Sequence, residues 1–516
     1  MMKILKKPFL KKLSYVIAAI CVLAVFIGMF TNSENANIFA QQSHGVLGVS
    51  AEISDEADTT KVMVVKPADD SIQVDSNNKL YDTISSLKPN ITFKGVLRAI
   101  LGIVVILFIC WLLSRDRKAI KWKYIFSALA FQIIIAICIL YVPFVATIFE
   151  FFGKIFVYVN RSAAEGMKFL MGGLMGESIG YVFAFNVLPT IVFFSAITSL
   201  LFHWGIIQVV VKWLGWFFSK IMGLTGVESL SLAGNIFLGQ TEAPLIVKHY
   251  LPNAKDAEIF MVMVGGMATM SGGILASYIA LLGGNDPVLQ VAFAKHLLAA
   301  SVMAAPAAVV IGRIIFPANT DPSEVVKIEK EEKKTNTLDV IAGGAIEGMK
   351  LAVNVATMLL VFIALIAFIN FTFGKIGDWT TLNTWIGANT PYQKFSLEFL
   401  LGYALSPLMW LIGVPSGDVL ELAQLLGIKT IVNEFVGYGA LQGMIASGSL
   451  SVKGTVMAIY LLCGFANFSS IGIQIGGIGS LAPNKRYVLA KFGMLALFTA
   501  AVTALLSSII MGMLLG

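Results

Sequence analysis

Charge is what this chain has least of. Only 13% of its 516 residues are Asp, Glu, Lys or Arg, against 57% hydrophobic ones, and the mean hydropathy is +0.83. Such a composition excludes a large soluble core and indicates an integral membrane protein. Histidine is scarce too: His44, His203, His249 and His296 lie far apart in sequence, which argues against a zinc centre or a Ser-His-Asp site. The four cysteines, Cys21, Cys110, Cys138 and Cys463, sit in apolar runs without metal or redox spacing, so they read as packing residues. The net charge of +7 calls for no nucleic acid, because basic loops on the cytoplasmic side of a membrane supply it.

What is present falls into ordered blocks. Residues 1–40 carry Lys3, Lys6, Lys7, Lys11 and Lys12 ahead of an uncharged run from Leu13 to Phe30. That pattern fits a signal peptide or an uncleaved N-terminal anchor. Residues 41–92 hold eight acidic and four basic side chains and no long apolar run, which suits an extracytoplasmic polar segment. Residues 93–180 are expected to form spans and one interfacial helix. Gly95–Leu113 and Tyr124–Val142 flank a loop with Arg115, Arg117, Lys118, Lys121 and Lys123 against Asp116 alone, so that loop is placed in the cytoplasm. Ile148–Leu174 carries Glu150, Lys154, Arg161, Glu165 and Lys168 within apolar sequence and reads as a helix lying at the interface. Tyr181–His203, Glu258–Leu282, Val288–Phe316 and Ile341–Phe373 are further spans. Residues 317–340 form a charged linker, 341–395 a connecting span and loop, and 396–516 a second block closed by a basic, cytoplasmic Asn484-Lys485-Arg486.

The densest polar cluster lies in Gly234-Asn235-Ile236-Phe237-Leu238-Gly239-Gln240-Thr241-Glu242-Ala243-Pro244. An ionised group at bilayer depth costs roughly 2.5–3.5 kcal/mol on insertion scales, so it persists where it faces a ligand or water. Gly234, Gly239 and Pro244 argue against one continuous helix. Non-helical backbone at depth is tolerated only where it lines a cavity, so a re-entrant segment with a substrate site fits. The pattern recurs. Gln240-Thr241-Glu242 is followed by the small, hydroxyl-bearing Met267-Ala268-Thr269-Met270-Ser271-Gly272-Gly273, and Asn433-Glu434-Phe435 by Gly464-Phe465-Ala466-Asn467-Phe468-Ser469-Ser470. Gly180-Tyr181 and Gly402-Tyr403 open the blocks; Val288–Phe316 and Tyr487–Leu515 close them. Paired interrupted segments in two halves point to a transporter's midplane site.

These strings resemble the concentrative nucleoside transporter family. Gly239-Gln240-Thr241-Glu242-Ala243-Pro244, Asn433-Glu434-Phe435-Val436 and Cys463-Gly464-Phe465-Ala466-Asn467-Phe468-Ser469-Ser470-Ile471 match in order and at family-like spacing, over about residues 95–516. The resemblance implies an all-α membrane protein of eight transmembrane helices with two inverted repeats, each holding a re-entrant helical hairpin and an unwound helix. It implies a homotrimer in the plasma membrane, and a cation symporter rather than an enzyme. By resemblance Gln240, Thr241 and Glu242 face the nucleobase, Ile274 lies beside it, and Glu434, Phe465, Asn467 and Ser470 hold the ribose. Sodium maps onto Asn235, Leu238, Thr269 and Met270, with Leu238 and Met270 acting through backbone carbonyls.

The residue chemistry agrees. An ionised Glu434 is a pure acceptor suited to ribose hydroxyls, while Asn467 and Ser470 both donate and accept. Three classes remain open on sequence: sodium-coupled nucleoside symport, proton-coupled symport through Glu242 or Glu434, and a channel or membrane scaffold.

Overall fold

The computed structural model describes residues 91–172, 182–284, 286–318 and 336–516. The signal-like residues 1–40, nearly all of 41–92, most of the charged linker and Gly180-Tyr181 lie outside the described residues. Within them every regular element is helical. Among the described residues, eight helices are long and apolar enough to cross a bilayer.

Helix α1 (Phe93–Leu113) begins where the Thr92 hydroxyl accepts from the Gly95 amide at 3.1 Å, an N-cap. Its last carbonyls, on Trp111 and Leu112, accept from the Arg117 guanidinium. Helix α2 (Trp122–Tyr141) returns, and α3 (Pro143–Met171) follows with Pro143 at its first turn. Segment α3, expected at the interface, has the length and composition to cross like the other seven. Its Glu150, Lys154 and Arg161 share a face and line a cavity of about 530 Å³ with Lys295 and His296. Two helices, α4 (Phe183–Asn186) and α5 (Leu188–His203), are separated at Val187, just before Pro189. Helix α6 (Ile206–Met222) buries one stripe, Ile207, Val211, Gly215, Phe218 and Met222, and exposes Trp213 and Trp216.

Two repeats of one order follow. The first has α7 (Gly226–Asn235), a turn, short 3-10 segments at Ala243–Val247 and Leu251–Asn253, then α8 (Asp256–Ala268), α9 (Gly272–Gly283) and the long α10 (Pro287–Ile315). After α11 (Thr337–Trp379), α12 (Leu382–Asn389) and α13 (Leu397–Leu411), the second repeat has α14 (Val419–Ile431), α15 (Glu434–Ala446), α16 (Val452–Leu462), α17 (Phe468–Leu481) and α18 (Arg486–Leu514). Helix α10 and the α18 region are the axis of the molecule, with 89% and 78% of their most apolar stretches buried, against 6% for α11. Both are apolar over most of their surface, as suits a largely buried helix. Small residues such as Ala300, Ala304, Ala308, Ala496, Ala500 and Ala504 let neighbouring backbones approach.

The two hairpins open toward opposite ends of that axis. At one end the Arg115 amide donates to Ile315 O at the end of α10, and Lys485, just before α18, donates to Ala254 O at the base of hairpin 1. At the other end the Lys453 ammonium beside hairpin 2 donates to Gly516 O, just past α18 (2.6 Å). There the two feet of hairpin 2 are pinned together where the Ser451 amide and hydroxyl donate to the Asp418 carboxylate.

Candidate functional site

Hairpin 1 is set by a capping box: the Thr225 hydroxyl accepts from Glu228 N, and the Glu228 carboxylate accepts from Thr225 N. Arg313 on α10 holds that carboxylate in a buried pair at 2.6 Å. The arm ends at Asn235, which is fully buried, and neither its Nδ2 nor its Oδ1 has a partner. A side chain on Gly265 would lie 3.4 Å from that Nδ2, so the amide rests on the last turn of α8. The Thr269 hydroxyl donates to the Gly265 carbonyl in the same turn at 2.9 Å. Helix α8 stops there: Thr269 takes extended backbone angles, and α9 starts at Gly272. The Gly272 amide donates to Phe237 O in the hairpin turn at 3.0 Å, which ties the turn to the break. Leu238, Thr269 and Met270 are all buried around this point. The expected sodium residues are therefore gathered at one place.

In the second repeat two asparagines start the second half-helices. Asn433 caps α15, its side chain accepting from Val436 N at 2.9 Å. Asn467 caps α17, accepting from Ser470 N at 3.0 Å. Glu434 stands in the first turn of α15, where the helix dipole favours a carboxylate. Its Oε2 accepts from Asn467 Nδ2 at 2.6 Å. From hairpin 1, Gln240 Nε2 donates to the Ser470 hydroxyl at 3.3 Å, across 230 positions of chain, and Gln240 Oε1 is buried without a partner. Thr241 reaches α17 as well: a side chain on Gly477 would meet its methyl at 2.5 Å. The structure thus connects Gln240, Ser470, Asn467 and Glu434 in one run of contacts. Phe465 sits in the second break, and Ile274 lies buried in the first turn of α9.

Glu242 is placed differently. It is exposed, and its carboxylate folds back over Gly239, accepting from backbone amides of its own hairpin. It does not join the Glu434 group.

The two breaks touch. Gly464 has a φ of +86°, and a side chain there would run into the Ala268 carbonyl at the end of α8. Cys463 Sγ lies 4.0 Å from the same oxygen. Met270 in the first break meets the Tyr438 hydroxyl of hairpin 2 at 3.9 Å. Three buried residues beyond the sequence expectations belong here. The Tyr278 ring packs at 4.2 Å from that of Tyr438 and 4.8 Å from Phe435. Gln474, one helical turn after Ser470, donates to Met263 O at 3.0 Å. Lys429 on α14 is fully buried. Of these only Lys429 left a sequence signal, a lone cation in an apolar run shortly before Glu434.

The donor set suits a hard cation and a neutral polyol. Unwound carbonyls and half-helix C-termini hold sodium in transporters, and an orphaned buried amide beside a freed helix end supplies oxygen without a competing partner. Acceptor-rich Glu434 and the bifunctional Asn467 and Ser470 match a solute whose hydroxyls both donate and accept.

Three family models match the chain: "Na+ dependent nucleoside transporter N-terminus" over 101–174, "Nucleoside recognition" over 184–285 and "Na+ dependent nucleoside transporter C-terminus" over 296–512. An uncharacterized transporter of Haemophilus influenzae is 40% identical over 82% of this chain and 98% of its own. The nucleoside permease NupC of Helicobacter pylori is 34% identical over 81% of this chain and 97% of its own. The solved transporter CNTnw, in an inward-facing substrate-bound state, superposes with a TM-score of 0.74 at 35% identity, over 82% of this chain and 99% of that one. A variant of it in an outward-facing state gives 0.73. These relatives are transporters, not enzymes, and CNTnw shares this chain's fold. The chain belongs to the Na+-dependent, concentrative nucleoside transporter family.

Proposed function

We propose that this protein imports nucleosides by sodium symport through one pathway in each protomer of a homotrimer. It sits in the inner (plasma) membrane, with residues 41–92 on the periplasmic or extracellular side and residues 1–40 as a signal peptide or anchor. The observation that carries the reading is the meeting of two kinds of group at adjoining breaks. The orphaned Asn235 amide and Thr269 stand at the first, and the Glu434–Asn467 pair with Ser470 and Gln240 at the second.

In this reading Asn235, Thr269 and the carbonyls of Leu238 and Met270 hold the ion. Glu434, Asn467 and Ser470 hold the ribose, Phe465 walls it, and Gln240, Thr241, Glu242 and Ile274 face the base. Glu242 swings from its place over Gly239 when a base arrives. Opposed hairpins give each side of the membrane its own gate, which supports alternating access, as do the inward- and outward-facing states of the similar transporter. One cation crossing 100 mV releases about 2.3 kcal/mol, and a tenfold gradient adds about 1.4 kcal/mol. Together they sustain a several-hundredfold accumulation of a neutral solute.

Uptake of labelled uridine into vesicles, with sodium and proton gradients imposed separately, tests the proposal. Accumulation driven by sodium alone is expected. Accumulation driven only by protons selects the proton-coupled reading, and saturation-free flux without accumulation selects a channel.

A further inference from the structure

The two repeats share one order of elements, and at the ends of α8 and α16 they differ in charge. In the first, α8 ends at Ala268, and the side chain on its last turn is the neutral Asn235 of hairpin 1. In the second, α16 ends at Leu462, and the side chain at its end is Lys429, in the last turn of the first arm of hairpin 2. Its Nζ donates to Leu461 O at 3.0 Å and to Cys463 O at 2.5 Å. Lys429 is the only lysine among the described residues to be buried, and its exposure is 0%. The end of a helix concentrates partial negative charge on its free carbonyls, and an ammonium is a compact point charge with three donors. A cation site needs oxygen ligands and a negative field; the Leu461 and Cys463 carbonyls supply both here, and a residue of the chain supplies the cation. Lys429 and Glu434 stand on the two arms of the same hairpin, on either side of its tip.

We infer that Lys429 is a tethered cation: it stands at the second break in the position that the coupling ion takes at the first, so the second repeat recruits no ion of its own. The inference rests on the sodium-symport reading of the first repeat. It goes further by assigning the number of ions moved per solute to a residue outside the substrate and ion sites. A lysine that only capped α16 would affect stability and leave ion stoichiometry alone.

The test uses the full chain in proteoliposomes, as wild type, K429S and K429R. Sodium activation of uridine uptake and the charge moved per uridine, from reversal potentials, are measured together. Wild type and K429R are expected to give a Hill coefficient of about 1, and K429S about 2, with twice the charge per uridine. A K429S protein whose sodium activation stays hyperbolic with unchanged charge per uridine overturns the inference. If wild-type uptake ignores sodium, the symport reading fails on its own. K429S then supports the inference by acquiring sodium dependence and overturns it by acquiring none. If K429S does not fold, K429A is assayed for uridine binding with ethylammonium, sodium or propanol added. Recovery by the cations alone supports a tethered cation, whereas equal recovery by neutral propanol, or recovery by none, overturns it.

Discussion

Replacing Asn235 by leucine substitutes an apolar side chain of similar volume for a buried amide with two unpartnered atoms. An unsatisfied buried polar group costs about 1–3 kcal/mol. Without sodium, Asn235→Leu should therefore be more stable than wild type by that order, whereas most point changes destabilise by about 1 kcal/mol. With sodium the ranking reverses. An ion at a hundred times its dissociation constant stabilises the protein that binds it by about 2.7 kcal/mol, and the leucine protein forgoes this. The two curves of thermal midpoint against sodium, measured in detergent with choline keeping ionic strength constant, should cross. Parallel curves, or a leucine protein already weaker at zero sodium, would refute the assignment of this amide to the ion. In uptake, the milder Asn235→Ala should raise the sodium needed for half-maximal rate roughly tenfold or more, as for losing about 1.4 kcal/mol.

Glu434→Gln keeps the volume but loses a charged acceptor, whose hydrogen bonds are about twice as strong as neutral ones. Uridine binding by calorimetry should weaken by roughly 1.5–3 kcal/mol, ten- to a hundredfold, at normal expression, and unchanged binding would remove Glu434 from the ribose site. Glu242→Gln should instead shift the ranking of nucleobases in competition uptake, with little change in its mean. Gly464→Ala forces a side chain onto the Ala268 carbonyl at a φ of +86°; left-handed strain alone costs about 1–3 kcal/mol. It should lose uptake and thermal stability together, while Gly472→Ala, which meets nothing nearby, should lose neither. Cysteines placed at 60 and 118 should react with an impermeant thiol reagent from opposite sides of the membrane.

Much of the plan was legible in the residues. The predicted breaks at Met267–Gly273 and Gly464–Ser470 fall on the observed interruptions between α8 and α9 and between α16 and α17. The reason is local: small residues and hydroxyl or amide caps end and restart helices whatever surrounds them. The meeting of hairpin 1 with the second break was legible only through family resemblance, because Gln240 and Ser470 are joined by tertiary packing. Nothing in the sequence singled out Tyr278 and Tyr438, since periodicity places a residue on a face without saying what lies opposite. The turn of Glu242 back over Gly239 follows from a glycine whose missing side chain leaves that room. Polar residues in α3 favoured an interfacial helix. Part of that polarity is spent internally, with Glu150 paired to Lys295 at 3.5 Å and Asn160 donating to Ala276 O.

The contact between Gly464 and the Ala268 carbonyl has a thermodynamic consequence. In the proposed reading the first break carries the ion's ligands and the second the solute's, and at Gly464 the two meet backbone to backbone. Linkage then requires reciprocity. By whatever factor sodium raises the affinity for a nucleoside, the nucleoside raises the affinity for sodium. A methyl group inserted at 464 should shrink both factors together.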